Sequence, residues 1–340
     1  MRALRIQTVV CCAGVLAAVI AHATQASAQA FVPPKGEGAV SFVFQDAFVK
    51  YHLLPTVRVD RGQIRTNTML IDASIGLGHN LAVSFAVPFV RARYTGSSPH
   101  RLLAGETAIH PDFAFLDDGG YHGAVQDLRF DVRYNAVKGR VFLTPFVAAI
   151  LPSHQYEHFA HAAVGRRVRE LQVGVFVARL LDPMLPGGFV QARYSYGLAE
   201  RVLDISHNRS NLSLEAGYFV NQSLRVFVIG MGQVTHGGID LTAAGRAAIG
   251  SERYIHHDQI SRDNQANVGA GLAYSLTDTV DVFGSVMKTV AARNGHLLAR
   301  SVSVGVSFGF GRKYPTMGGG GDDACVEVED ALARCVCLRK

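Results

Sequence analysis

Charged side chains occupy every second position of several apolar segments, and this is the first pattern in the sequence that could support chemistry. In QDLRFDVRYNA, charged residues from Asp127 to Arg133 alternate with apolar residues from Leu128 to Tyr134. Successive side chains of a β-strand point to opposite faces, so a strand here would have one charged face and one apolar face. Such a strand separates water from hydrocarbon, which is typical of a transmembrane β-barrel.

The charged face predicts a set of residues that line the lumen of a barrel. They could form a narrow, charge-biased pore, or they could pair across strands and fill the lumen. A barrel of roughly twelve strands lies between small barrels with filled interiors and large barrels with aqueous channels, so both interpretations stay open. The candidates are Asp127, Arg129, Asp131, Arg133, Glu170, Arg193, Glu215, Arg225, Asp281 and Lys288.

Three histidines in one predicted loop could bind a metal ion. His154, His158 and His161 have the spacing that would bring them to one face of a short helix. Neutral imidazoles in such an arrangement can bind Zn²⁺ or a similar ion. The alternative is that a polar loop accommodates histidines without any ligand.

Nucleophilic and nucleotide-binding patterns are weak. His207 and Ser210 are three positions apart, so a regular strand would point them to opposite faces, and a hydrolase is disfavoured. The glycine-rich segments GMGQVTHGG and SVGVSFGFG do not precede a predicted helix. We therefore expect no catalytic residues, no enzymatic activity and no cofactor.

The elements that must position these residues are strands. Alternating segments that end at Gly, Asn, Asp or Pro follow one another along most of the chain. They predict an all-β fold, a transmembrane antiparallel up-and-down β-barrel of about 12 strands of the outer-membrane type. The predicted strands are 37–53, 62–77, 80–94, 124–136, 140–152, 166–180, 188–200, 207–220, 223–236, 258–275, 279–293 and 297–310.

The connections alternate between short and long. GHN, VKG, NQS and TDT are tight turns, whereas 95–123, 153–165 and 237–257 are long loops. Outer-membrane barrels have short periplasmic turns and long external loops, while a Greek-key sandwich has no reason for this regularity. The long loop 95–123 is the predicted gate of the lumen.

Aromatic residues should mark the membrane interfaces on the lipid-facing side. The alternation of strand faces predicts that five aromatic residues face lipid near the periplasmic end, namely Tyr134, Tyr218, Tyr274, Phe308 and Phe310. Phe89 and Tyr94 are expected at the outer end.

The two ends of the chain differ from the body. Residues 1–30 read as a secretory signal peptide, with Arg2 and Arg5, an apolar run and small residues before Ala28 or Ala30. Residues 31–310 form the predicted barrel. Residues 311–340 are a glycine linker and a tail that is either poorly ordered or binds a periplasmic partner. This tail carries Cys325, Cys335 and Cys337, which could hold one disulfide and one free thiol.

Composition excludes two classes of protein. Hydrophobic residues make up 49% of the chain, yet no long apolar run follows the signal, which excludes a helical membrane protein. The net charge of +6 is scattered and forms no basic cluster, so we expect no nucleic-acid partner.

Two segments carry a resemblance to a known family. LIDASIGLGHNLAVSFAVPFV and VQDLRFDVRYNAVKGRVFLTPFVAAILPS resemble the strand–turn–strand units of the phenol-degradation MetA-pathway family of outer-membrane channels. Ser153 and His154 stand where that family usually has Thr-Gly. The resemblance implies that small, aromatic or hydrophobic compounds cross the outer membrane through this protein.

The sequence therefore predicts an exported protein of a Gram-negative-type cell outer membrane, with membrane lipid and a small-molecule solute as partners. Its predicted function is passive diffusion through the lumen. The alternative is a non-conducting structural barrel or a surface-interaction barrel whose long loops carry the function.

Overall fold

The computed structural model describes residues 30–100, 115–241 and 251–311. The predicted signal peptide, apart from Ala30, and the predicted tail, apart from Gly311, lie outside the described residues.

Twelve long antiparallel strands form a closed wall, and two short strands attach to it. Each long strand pairs with its neighbours along the chain, and β1 pairs with β14 from Gly38 opposite Phe310 to Leu53 opposite Gly295. The predicted up-and-down barrel is confirmed. The strands are β1 (Gly38–Leu54), β2 (Val57–Val59), β3 (Gln63–Gly78), β4 (Leu81–Thr95), β5 (His122–Val125), β6 (Asp127–Tyr134), β7 (Val141–Pro152), β8 (Glu170–Leu180), β9 (Gly188–Ala199), β10 (His207–Phe219), β11 (Leu224–Gly237), β12 (Asn264–Thr277), β13 (Val280–Arg293) and β14 (Gly295–Phe310).

The predicted strand boundaries hold to within a few residues, with one larger difference. β12 begins at Asn264 and not at 258, because two helical turns, α1 (Glu252–Ile255) and α2 (His257–Ile260), precede it. Ser251 caps α1 by accepting a hydrogen bond from the Tyr254 backbone N–H. Within the described ranges, no helix is long and apolar enough to cross a bilayer.

The two ends of the barrel differ, and we call them the turn end and the loop end. At the turn end, β3 and β4 are joined through His79 and Asn80, which both have positive φ, as tight hairpins require. The loop end carries the longest connections, 96–121, 153–169 and 238–263. This asymmetry is the one that outer-membrane barrels show.

The outer surface of the wall is apolar. In β11, Val226 and Val228 are exposed while Phe227 and Ile229 are buried inside. The aromatic residues predicted for the turn end all lie on this outer surface, each 40–46% exposed: Tyr134, Tyr218, Tyr274, Phe308 and Phe310. Alternation between lipid-facing and interior residues is therefore present along the wall.

Tyr94 does not belong to the outer aromatic girdle, and its predicted position is wrong. Phe89 is exposed, as expected, but Tyr94 is only 1% exposed and faces the interior with Val90 and Ala92. Five positions separate Phe89 from Tyr94, so the two side chains must point to opposite faces of β4.

The first described residues lie inside the barrel at the turn end. The Ala30 carbonyl accepts hydrogen bonds from Thr144 Oγ1 (2.6 Å) and Asn135 Nδ2 (3.3 Å). Phe31 packs edge-on against Phe142 with ring centroids 4.3 Å apart. A side chain at Gly76 of β3 would collide with the carbonyl oxygens of Pro33 and Pro34. Residues 30–36 thus pass from β7 to β3 across the opening.

The position of the apolar surface within the membrane can be tested by introducing arginine at either of two positions. Val228 lies four residues along β11 from Leu224, which pairs with Tyr274 of the girdle. This separation is roughly 10 Å along the membrane normal, near the middle of an apolar band about 25 Å tall. We expect Val228→Arg to lower the free energy of unfolding in lipid vesicles by about 2–4 kcal/mol.

Val220→Arg is the control, because Val220 is equally exposed but lies in the turn after β10. Its expected cost is about 0–1 kcal/mol, since arginine reaches the headgroups there. Equal costs in urea titrations would contradict the assigned membrane span.

Candidate functional site

Nine of the ten predicted lumen residues face the interior. They alternate with apolar neighbours in six strands, and all are buried or half-buried. These nine are Asp127, Arg129, Asp131, Arg133, Glu170, Arg193, Glu215, Arg225 and Asp281.

Lys288 is the exception, and its predicted position is wrong. It is exposed on the outer face of β13 between Val286 and Val290, and it pairs with the exposed Val268 of β12. Asp281 and Lys288 are an odd number of positions apart, so they cannot share a face of a regular strand. A lysine on the outer wall can lay its apolar stem on the surface and extend its ammonium toward the headgroups.

The interior charges are bound to each other and to aromatic rings. Arg193 donates to Gln172 Oε1 (2.9 Å), and Gln172 donates to Glu170 Oε1 (2.7 Å). Arg209 lies 3.6 Å from the other Glu170 oxygen. The Arg193 guanidinium also stacks over Phe146, 4.8 Å from the ring centroid. Pairing of this kind offsets the large cost of placing charges in a region with little water.

An apolar cluster lies inside the barrel closer to the turn end. Its buried members come from strands on opposite sides of the wall, including Ala86 of β4 and Phe227 of β11. The others are Val43, Leu70, Ile229, Ala273 and Phe283. The interior therefore contains both paired charges and apolar surface.

The loop 153–169 fills the interior at the loop end. Tyr156 donates a hydrogen bond to Asp127 Oδ1 (2.5 Å) and packs with Val164 on Val90 of the wall. Ala162 is fully buried against β1, β3 and β4. One cavity beneath this loop, lined by residues that include Asp127 and Arg166, has a volume of about 60 Å³. Among the described residues, loop 153–169 therefore occupies the interior at the loop end.

Asp117 holds the closing loop in place. Its two carboxylate oxygens accept hydrogen bonds from the backbone N–H groups of His161 (3.1 Å) and Ala162 (2.9 Å). The same carboxylate accepts from the backbone N–H of His100 (2.8 Å). Asp117 belongs to the predicted gating loop 95–123, whose residues 101–114 lie outside the described ranges. The described part of that loop therefore anchors 153–169 within the lumen.

The three histidines predicted to share a helix face do not come together. Residues 153–165 form no helix, so the spacing on which the prediction rests is absent. His154 contacts the Ser153 hydroxyl (2.8 Å), His158 contacts His256 (3.3 Å) and His161 contacts His52 (3.3 Å). Each histidine thus has a different environment.

A histidine cluster occupies the loop end, and the sequence did not predict its membership. We define it as His52, His100, His161, His257 and His296. His52 and His296 lie opposite each other where β1 meets β14, and His161 stacks on Tyr94 with centroids 4.5 Å apart. His100 and His257 come from two other connections. A cavity of about 420 Å³ lies beside the cluster.

Burial disfavours the charged form of three loop histidines. It lowers the pKa of His161 well below its ordinary value and also lowers the pKa of His257. The pKa of His158 falls to about 4, first because of burial and then because of the nearby Arg167 and His256 charges. Neutral imidazoles are the form that binds metal ions.

His207 and Ser210 point to opposite faces, as the spacing predicts. His207 is fully buried inside, while the Ser210 hydroxyl lies on the outside and contacts His236 Nε2 (2.8 Å). Sequence spacing could not predict the contact between Ser210 and His236, because the two residues lie on neighbouring strands. The Tyr194 hydroxyl also lies 3.1 Å from the Ser210 hydroxyl.

An apolar outer wall, a polar interior and loops of unequal length define the class of outer-membrane β-barrel proteins. An outer membrane channel from Pseudomonas putida F1 is similar to this chain, with a TM-score of 0.63 and 13% identity over 84% of this chain and 99% of that one. The β domain of the Bordetella autotransporter BrkA gives a TM-score of 0.47 at 11% identity, covering 81% and 99%. No protein-family model and no curated protein matches the chain.

Acid should loosen the closing loop. Burial lowers the pKa of His158 to about 4 in the folded protein, below its ordinary value of 6.5. The stability that the neutral ring contributes is therefore complete above pH 6.5 and is lost as the pH falls toward 4. Arg167, His256 and His257 disfavour a positive charge on His158, whereas Asp258 favours it. The Glu157 carboxylate lies 3.8 Å from His158 Nδ1. We expect hydrogen exchange of 153–169, corrected for its intrinsic pH dependence, to accelerate markedly between pH 7 and pH 4.

His158→Asn should remove much of this acceleration, because asparagine does not titrate in that range. His154→Asn is the matched control and should retain it, since His154 is exposed. The same pH dependence in both variants would show that other groups loosen the loop.

Proposed function

We propose that this protein is an outer-membrane channel for small molecules and that the described conformation is its closed state. The observation that carries the proposal is the way loop 153–169 is held in the interior of the barrel. The wall is held by continuous strand pairing, whereas loop 153–169 is held in the interior largely by side-chain contacts such as those of Asp117 and Tyr156. Such a loop can leave the lumen while the wall stays intact.

The interior supports passage of aromatic or hydrophobic compounds by passive diffusion. The interior contains a cation, Arg193 over Phe146, and ring surface in the apolar cluster that contains Phe227, and both would suit an aromatic solute once loop 153–169 has moved. This substrate class is also the one implied by the resemblance of the two strand–turn–strand segments to phenol-degradation MetA-pathway channels. The similar Pseudomonas putida F1 protein is described as an outer membrane channel.

The packing of loop 153–169 within the interior gives a specific reason to keep the second candidate, a non-conducting barrel that acts through its surface loops. In either case, the proposed location is the outer membrane, with lipid against the apolar wall and export through the signal peptide. A periplasmic partner of the tail and the absence of enzymatic activity also stay proposals.

Asp117→Asn tests the channel. The change removes a buried negative charge that accepts three backbone hydrogen bonds and would weaken the closed state by about 1.5–3 kcal/mol. We expect the open probability in planar bilayers to rise by roughly 10-fold to 100-fold.

Asp118→Asn is the matched control, because the Asp118 carboxylate is exposed and contacts His122 and the Gly120 backbone. It should gate like the unmodified protein. If neither the protein nor Asp117→Asn gives channel events at any voltage, the non-conducting barrel is the correct assignment.

A further inference from the structure

One group within the histidine cluster has three ligand atoms that face each other. His100 Nε2 lies 3.2 Å from His257 Nε2, and His257 Nε2 lies 3.3 Å from Asp258 Oδ1. His100 comes from the loop after β4, while His257 and Asp258 belong to α2. A shared ligand would therefore link two different connections across the loop end.

The proton positions in this group follow from the partners of the other ring nitrogens. His257 Nδ1 lies 2.6 Å from the Tyr254 carbonyl oxygen, which can only accept, so this nitrogen carries the proton. His100 Nδ1 lies 3.3 Å from the Asp117 carboxylate, which also accepts three backbone N–H groups and so behaves as an ionised acceptor. In the neutral imidazoles both Nε2 atoms then carry lone pairs.

Two lone pairs 3.2 Å apart, with a carboxylate oxygen beside them, repel each other unless a positive charge lies between them. Either an additional proton or a metal cation can supply that charge. The distances are those that a metal site requires: two ligand atoms at about 2.0–2.1 Å from a tetrahedral Zn²⁺ are roughly 3.3–3.4 Å from each other. The two observed separations, 3.2 and 3.3 Å, agree with this value.

The surroundings of both rings also match a metal site. Histidine ligands usually donate their second ring N–H to a carboxylate or a backbone carbonyl, which fixes the tautomer and the ring orientation. Asp117 supplies the carboxylate for His100, and Tyr254 supplies the carbonyl for His257. His257 and Asp258 retain 16% and 28% side-chain exposure, and both line the cavity of about 420 Å³, so an ion can enter.

The neighbouring pair of His52 and His161 provides a contrast within the same cluster. His161 Nε2 lies 3.1 Å from the Ser98 carbonyl and must donate to it, so its Nδ1 is the acceptor. His52 Nε2, 3.3 Å away, can donate to that nitrogen. This contact is a complete hydrogen bond and needs no cation.

We propose that His100 Nε2, His257 Nε2 and the Asp258 carboxylate bind one divalent transition-metal ion of the Zn²⁺ type, with an open coordination position toward the cavity. The ion would join the loop after β4 to α2 at the mouth of the barrel. Metal binding is measured without any measurement of conduction, so this proposal can be tested separately from the channel.

Zinc titration of the chelator-treated full-length protein in detergent tests the site. We expect one Zn²⁺ per chain by calorimetry. His257→Ala and Asp258→Asn should each weaken binding by at least about 100-fold, because loss of a mere supporting partner already costs about 10–100-fold. Co²⁺ bound in place of Zn²⁺ should give visible absorption bands that both variants lose.

Two histidine variants serve as controls, and strand content is checked for every variant by circular dichroism. His52→Ala removes the hydrogen-bonded pair, and His154→Ala removes an exposed histidine near the mouth. Both should retain the affinity of the unmodified protein. Absence of binding tighter than millimolar, or equal losses in the control and ligand variants, would overturn the proposed site.

Discussion

The structure depends on one constraint, which is that backbone N–H and C=O groups in hydrocarbon have no water to bond with. A strand can satisfy these groups only through its neighbours, so a membrane-spanning sheet must close on itself. Here the pairing of β1 with β14 closes the wall. Once the sheet is closed, every second residue must face lipid and the remainder must pack within a limited lumen. The apolar belt and the charged interior are two consequences of that closure.

The interior shows how a barrel of this size handles its charges. Residues that would be hydrated in a wide channel are here buried against partners, as in the chain from Arg193 through Gln172 to Glu170. A buried pair is costly to break because it leaves an unpaired charge behind. Loop 153–169 has a buried pair of its own, Arg166 with Asp263, so a movement of this loop would have to keep or replace that contact.

The loop end concentrates the groups that could regulate such an opening. Asp117 takes part both in anchoring loop 153–169 and in the proposed metal site. Its oxygens accept hydrogen bonds from the backbone of 161–162, and it also orients His100. An ion at His100, His257 and Asp258 would add a link between connections that already share polar contacts, including the ion pair of Arg166 and Asp263 (2.9 Å). A ligand that binds one conformation better than another shifts the population toward it. A metal ion would in this way favour the closed mouth.

The sequence by itself determined the wall of this protein. A period of two residues and the turn residues are local properties, so QDLRFDVRYNA and the His79–Asn80 turn could be interpreted without knowing the partners. The predicted positions of Lys288 and Tyr94 are wrong because they followed from residue type, charged and aromatic. The number of positions that separates each of them from Asp281 or Phe89 on the same strand is odd and indicates the opposite face.

Only the tertiary structure decided the mouth. His52 meets His296 through the register of chain closure, and His100 meets His257 across 157 positions of sequence. Contacts between loops depend on how those loops fold over a completed barrel, and no local period in the sequence records that folding.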